Sequence, residues 1–207
     1  MLLEKLNGTN IINFHFIKHP LKQVDAELGP IIFDTLNRKW KTQYVSLDLE
    51  SVLDFFNSEL NFKKEVKCLM WQPKSVEFDL VVFITSLSDG WPTLINKYFS
   101  IHQRESISVT FTPTLIEFPM FAFAYKNHIC DRVIQVIKEE RKWTFFEKGT
   151  LLSFEDEENY KKKKIVDRLN NSIIIEYLQR NDININESDF WKPKNIALEF
   201  YTNLENH

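Results

Sequence analysis

Few side chains in this sequence stand at spacings that do chemistry, and its histidines and cysteines come first. His15 and His19 are four apart, a spacing that on a helix gives one metal ion two ligands. The segment TNIINFHFIKHP is β-rich, however, and ends at Pro20, so an extended chain is expected. Positions four apart on a strand lie about 13 Å from each other, too far for one ion to join both. No cysteine or third histidine stands near them in sequence, so neither a metal site nor a cofactor is expected. His128 and Cys130 share a face if their segment is a strand, about 7 Å apart. That is loose for a nucleophile and its base, which need contact and an orienting third group. A buried thiol beside a surface imidazole is the expected arrangement.

The carboxylates Glu139, Glu140, Glu155, Asp156, Glu157 and Glu158 could suggest acid–base work. Catalytic pairs sit in clefts with separated pKa values, whereas these fall at turns and a helix start. There they are either plainly solvated or form a docking surface. Lys161 to Lys164 wrap around a helix and form no stripe, and the acids before them cancel their field. Neither nucleic acid nor a membrane is therefore the expected partner. Trp91 and Trp143 stand beside Asp89, Arg141 and Lys142 at turns. Each is a core or strand-end anchor, or a contact residue of the kind enriched at interfaces.

Composition narrows the classes further. The chain has 207 residues, 43% of them hydrophobic and 27% charged. That is ordinary globular usage, and the length suits one globular domain over residues 1–207 with a sizeable core. Net charge is −3 and the pI is about 6.0, without the basic surplus that supplies a nucleic-acid binder with affinity. Four glycines leave little for phosphate-cradling loops. Walker, dinucleotide, zinc-protease and nucleophile-elbow motifs are absent, which disfavours the common nucleotide-dependent, zinc-hydrolytic and α/β-hydrolase classes. MLLEKLNGTN lacks the pattern of a signal peptide, and no apolar run reaches the roughly 20 residues that cross a bilayer. Cysteine usage fits two reduced thiols, and a cytoplasmic protein is expected.

The elements that must position these side chains are legible in part. Strands are expected at Thr9–Lys18, Val66–Trp71, Val76–Leu87, Ser106–Thr112, Met120–Tyr125, Arg132–Lys138, Lys142–Glu147 and Asn195–Thr202. The run Phe78, Leu80, Val82, Ile84 against Val81 and Phe83 marks a central strand covered on both sides. Pro113 and Pro119 suggest that a strand beside them is an edge. Gly29-Pro30 limits Leu21–Leu36 to at most two short helices. Ser46–Leu60 and Pro92–Gln103 have helical spacing. One long helix starts at Glu155–Glu158, whose acids suit its dipole, and runs through Val166, Leu169, Ile173 and Tyr177 to a stop at Asn181-Asp182. The fold class is α+β: an antiparallel meander sheet of about six strands with two or three helices against it.

One stretch carries a resemblance. KWTFFEKGTLLSFEDEENYKKKKIVDRLNNSIIIEYLQ joins an aromatic strand, a G-x-x-L-x-F-E crossing and a Y-x-x-[KR]-x-x-x-D-R segment. Those positions are Gly149, Leu152, Phe154, Glu155, Tyr160, Lys163, Asp167 and Arg168. The pattern resembles the C-terminal part of small bacterial immunity proteins of contact-dependent growth-inhibition and related polymorphic toxin systems. The resemblance implies a non-enzymatic protein that binds a cognate toxin C-terminal domain and occludes its active site, with no catalytic residue and no cofactor. Many such toxins are basic, so an acidic face would steer their association. The candidate contact residues are Asp89 and Trp91 at one turn and Glu155, Asp156, Glu157 and Glu158 at the acidic segment. The oligomeric state stays open. Two alternatives are a small soluble enzyme with a non-motif active site, marked by an apolar pocket with convergent polar groups, and a self-assembling phage or scaffold protein, marked by a large exposed apolar patch.

Overall fold

Alternation between Ser106 and Lys148 folds as the expected meander. The computed structural model describes residues 11–36, 41–57, 65–113 and 117–203. In it β5 (Ser106–Phe111), β6 (Met120–Lys126), β7 (Asp131–Glu139) and β8 (Lys142–Lys148) pair antiparallel in succession. β1 (Ile12–Ile17) lies between β5 and β4 (Val81–Thr85). β3 (Glu65–Pro73) follows β4, then β9 (Pro193–Asn203), with β2 (Lys41–Val45) at the far edge. The result is one nine-stranded antiparallel sheet, in the order β2-β9-β3-β4-β1-β5-β6-β7-β8. The α+β class stands, but the sheet is larger than the six strands expected. All the candidate strands join it, Val76–Leu87 only over Val81–Thr85, and Lys41–Val45, exposed along nearly its whole length, adds one that no alternation announced. Thr9, Asn10 and the Leu60 end of the second helical window lie outside the described residues.

Five α-helices are present among the described residues, against two or three expected. α1 (Leu21–Leu36) runs unbroken through Pro30. Its missing N–H would have bonded the carbonyl of Ala26. Ala26 and Pro30 are both exposed, so water can take that bond, while Val24, Leu28, Ile31 and Ile32 on the other side are buried. α2 (Leu49–Asn57) starts at Asp48, whose carboxylate accepts from Ser51 N at 2.9 Å. α3 (Pro92–His102) has proline in its first turn, as its sequence suggests. Neither β5 nor β6 is an edge, because Pro113 and Pro119 fall just outside the ladders.

α1 and α3 cover one face of the sheet only over β9, β3, β4 and β1, through a core that includes Val24, Leu28, Cys68, Phe83, Leu94 and Tyr98. Burial pushes the Cys68 thiol up to about 12, which leaves it unreactive. The opposite face carries the larger core, around Phe14, Trp71, Phe123, Val136, Tyr177, Phe190 and Trp191. Trp71 Nε1 donates to Phe190 O, and Trp191 Nε1 to Ile185 O, both at 3.0 Å.

The long C-terminal helix does not form as one piece. It is divided into α4 (Glu157–Tyr160), a 3₁₀ turn (Ile165–Asp167) and α5 (Asn171–Gln179). Asn170 breaks it by capping α5, accepting from Ser172 N and Ile173 N. The lysine run between the helices pairs Lys161 with Glu157 and Glu158, and Lys162 with Asn159.

Glu155 does not serve the helix dipole either. It is buried and holds the guanidinium of Arg132, itself 2% exposed, through three contacts of 2.9–3.2 Å. Arg132 also donates to Glu147 Oε2 and Gly149 O. Tyr160 donates to Glu155 at 2.7 Å, and the Tyr160 and Tyr177 hydroxyls lie 2.9 Å apart. Burial opposes the charge on Arg132, but the hydrogen bonds to Glu155 and Glu147 outweigh it and raise its pKa. Burial, then Tyr177 and Glu155, raise that of Tyr160.

The chain reaches this cluster through Gly149, at φ 89°, where a Cβ would stand 2.3 Å from Asp131 O. Gly149→Ala should therefore cost more than about 1 kcal/mol. Arg132→Met strands a buried carboxylate and should cost about 3–5 kcal/mol, lowering Tm by on the order of 10 °C. Thermal and urea unfolding check both; an Arg132→Met protein as stable as the parent would remove the pair from the account of the fold.

Candidate functional site: a cleft on the open half of the sheet

Beyond β1 the helices of one face stop, and β5, β6, β7 and β8 present an uncovered surface. Period-2 alternation decides what stands there. Ile107, Val109, Phe121, Phe123, Ile134 and Val136 point into the larger core, which leaves Ser106, Ser108, Thr110, Ala122, Ala124, Val133 and Gln135 for the open side. Register lines them in rows across the strands. One row is Asn13, Thr110, Ala122, Gln135, Phe146; the next is His15, Ser108, Ala124, Val133, Lys148. Where this small-residue floor meets α3 lies a cleft of about 450 Å³, walled by Pro92, Ile95 and Phe99, with Asp89, Asn96 and Lys126 also lining it.

His15 anchors the cleft. It is 6% exposed, with Nε2 2.8 Å from Gly90 O and Nδ1 2.8 Å from Ser108 Oγ. A carbonyl can only accept, so Nε2 carries the proton. Burial lowers the imidazole pKa to about 4, against the weaker opposing pull of the Gly90 bond. The ring is thus neutral at physiological pH, Nδ1 is an acceptor, and the Ser108 hydroxyl donates to it. Asn13 works in parallel: its Nδ2 donates to Ser88 O, so its Oδ1 accepts from Thr110 Oγ1 at 2.8 Å. Together the two side chains clamp the turn that launches α3. Gly90, at φ 73°, is required there, since a Cβ would lie 2.5 Å from Asn13 Cβ.

A serine bonded to an imidazole in a cleft invites a nucleophilic reading. The imidazole's low basicity works against it, and its outer N–H faces a neutral carbonyl rather than a carboxylate.

A second polar cluster joins α1 to α3. Glu27 accepts from Tyr98 OH at 2.7 Å and from Arg104, with His19 Nε2 and His102 Nδ1 each 3.7 Å away. Burial alone would raise the Glu27 carboxyl, but Arg104, Tyr98 and His102 outweigh it and hold it below the usual range. Among the described residues, no group of three or more His, Cys, Asp or Glu side chains could hold a metal ion.

The residues singled out from sequence are dispersed. Asp89 is exposed and lines the cleft, its Oδ1 accepting from Trp91 N at 2.9 Å. Trp91 is buried in the core beneath α3, not presented to a partner. Glu155 is buried with Arg132, so it too is no surface group. Asp156 accepts from Glu158 N as the cap of α4, and Glu157 and Glu158 are exposed. This acidic segment packs through Tyr160 into the core of the other face, so the two candidate patches do not form one surface. His128 and Cys130 lie in the β6–β7 turn rather than on a strand, with Asn127 Oδ1 accepting from Cys130 N. No local pattern groups His15, Ser108, Asn13 and Thr110. Their alternation was visible, but only strand pairing brings N-F-H against S-V-T.

Comparison with known proteins found no matching family model, no matching curated protein and no matching solved structure.

His15 should make stability depend on pH. Its pKa lies near 4 in the folded chain and 6.5 ordinarily. The unfolded state therefore binds the extra proton between those values. The contribution is full above pH 6.5 and lost as pH falls towards 4, at about 1.4 kcal/mol per unit. Urea unfolding of the parent and His15→Gln at neutral and acidic pH checks this: the difference between them should shrink by about 3 kcal/mol, and a constant difference would contradict it.

Proposed function

We propose that the chain is a binding protein that neutralises a cognate bacterial toxin domain by occluding it, and that the partner docks on the open half of the sheet. The observation that carries this is the uncovered face itself. Antiparallel sheets leave one side to water when that side is polar. Here the exposed side mixes Met120, Ala122, Ala124, Val133, Ile137 and Phe146, the last 53% exposed, with charges at its margin. An apolar centre with a polar rim is interface anatomy. The C-terminal resemblance supplies the kind of partner, and Asp89 at the cleft suits a basic one. Asp156, Glu157 and Glu158 belong to a separate surface.

A second reading, a serine-dependent hydrolase, rests on the Ser108–His15 contact alone, against the low basicity of the imidazole. Covalent labelling by a fluorophosphonate at Ser108, lost in Ser108→Ala, would support it.

Calorimetry against the C-terminal domain encoded directly upstream tests the leading reading. It should give a one-to-one complex tighter than about 10 nM. Ala124→Arg, which fills the floor, should weaken it by on the order of 100-fold, or about 2.7 kcal/mol. Reversing Asp156, Glu157 and Glu158 to lysine should leave it nearly unchanged. No binding to the folded domain would overturn the toxin reading, and indifference to Ala124→Arg would overturn the choice of face.

A further inference from the structure

The hydroxyl groups of the cleft have already used their protons. Ser108 donates to His15 Nδ1, because His15 gives its only N–H to Gly90 O. Thr110 donates to Asn13 Oδ1, because the Asn13 amide N–H points to Ser88 O. Both orientations are fixed from outside by main-chain carbonyls, which cannot donate. What Ser108 and Thr110 turn to the cleft is therefore lone pairs. β1, β5 and β6 each pair on both sides, so their ladders occupy the main-chain donors of the floor.

Charge points the same way. Asp89 lines the cleft, and among the described residues it makes no ion pair. The cleft's cation, Lys126, stands at the other end. It is opposite Ser106, four residues from Thr110 along β5, or about 13 Å. Its ammonium is held by Asn96 Oδ1 at 2.8 Å and lies 3.8 Å from Asp131. The Thr110 end thus combines acceptors with an uncompensated carboxylate, beside the apolar wall of Pro92, Ile95 and Phe99.

We propose that this cleft binds a cationic hydrogen-bond donor, an ammonium or guanidinium group carried on an aliphatic stem. The cation enters the Asp89–Thr110 end, and its stem lies along α3 and Val133. A volume of about 450 Å³ accommodates a small organic amine or one long basic side chain. The site stands on its own geometry; only a toxin's lysine or arginine as the source rests on the function proposed above.

The test is a titration of the ¹⁵N-labelled full chain near neutral pH, followed by amide shifts. Agmatine and n-butylamine should give saturable shifts confined to β5, β6 and the first turns of α3. Butyrate and n-butanol, with the same stem, should not. Asp89→Asn keeps the acceptor for Trp91 N and should weaken agmatine about tenfold, while Glu158→Gln should not change it. A capped lysine peptide that binds more tightly than agmatine marks a protein side chain as the source, and the reverse order marks a free amine. Equal binding of butyrate, or an Asp89→Asn protein that binds agmatine as the parent does, would overturn the proposal. If the upstream-encoded domain binds and agmatine neither binds nor competes, the cation site falls and the function stands. If agmatine binds and that domain does not, the function falls and the site stands.

Discussion

A single buried ion pair decides which side of this sheet is closed. Arg132 stands on β7 in register with Ile134 and Val136, on the face where an unpaired guanidinium would carry a large desolvation cost. Glu155 supplies the opposite charge and also accepts from Tyr160 OH and Leu152 N, while the Tyr177 hydroxyl bonds that of Tyr160 in turn. Satisfying Arg132 therefore requires residues 149–177 to fold back under β6, β7 and β8. Leu169, Ile173, Ile174 and Leu178 then become buried, and Arg168 settles 5.2 Å over the ring of Phe145. The glycine at 149 is the geometric condition for that return.

The other face has no such anchor. α1 and α3 are drawn over the half built from β9, β3, β4 and β1, where Val66, Cys68, Met70, Val81 and Phe83 offer an apolar surface. The Glu27 cluster holds the two helices together. Past β1 the same face turns to serine, threonine and alanine, too small to make a helix-binding ridge. The open half and the covered half of one sheet meet at α3, and that step is the wall of the cleft. His15 and Asn13 stabilise the step by fixing the turn before α3 to β1 and β5.

Sequence patterning revealed the local architecture well and the long-range one poorly. The β5–β8 meander, α3 after its proline and the double-sided β4 are all set by period and by turn residues, which act within a few positions. The insertion of β9 between β2 and β3 depends on pairing across more than a hundred residues, as in Gln43 opposite Glu199, which no local pattern encodes. The C-terminal helix misleads because an acidic start and a helical apolar spacing span a segment where α4 ends at Tyr160 and helix resumes only at the Asn170 cap. Glu155 looked like one of four equivalent surface acids; only the position of Arg132 on an inward-facing register separates it from its neighbours. Asp89 stands out at its turn, but the acceptor pair beside it depends on β1 lying against β5.

The assignment of partner binding to the open half-face is the claim on which the functional account turns, and methyl NMR of the complex addresses it most directly. With Ala, Ile, Met and Val methyls labelled and the upstream-encoded domain added, Met120, Ala122, Ala124, Val133 and Ile137 should shift strongly. Val166 and Ile175, packed against the core of the other face, should stay in place. Shifts concentrated around Val166 and Ile175, with the alanine floor unmoved, would contradict the account and return the acidic segment at residues 156–158 as the docking surface.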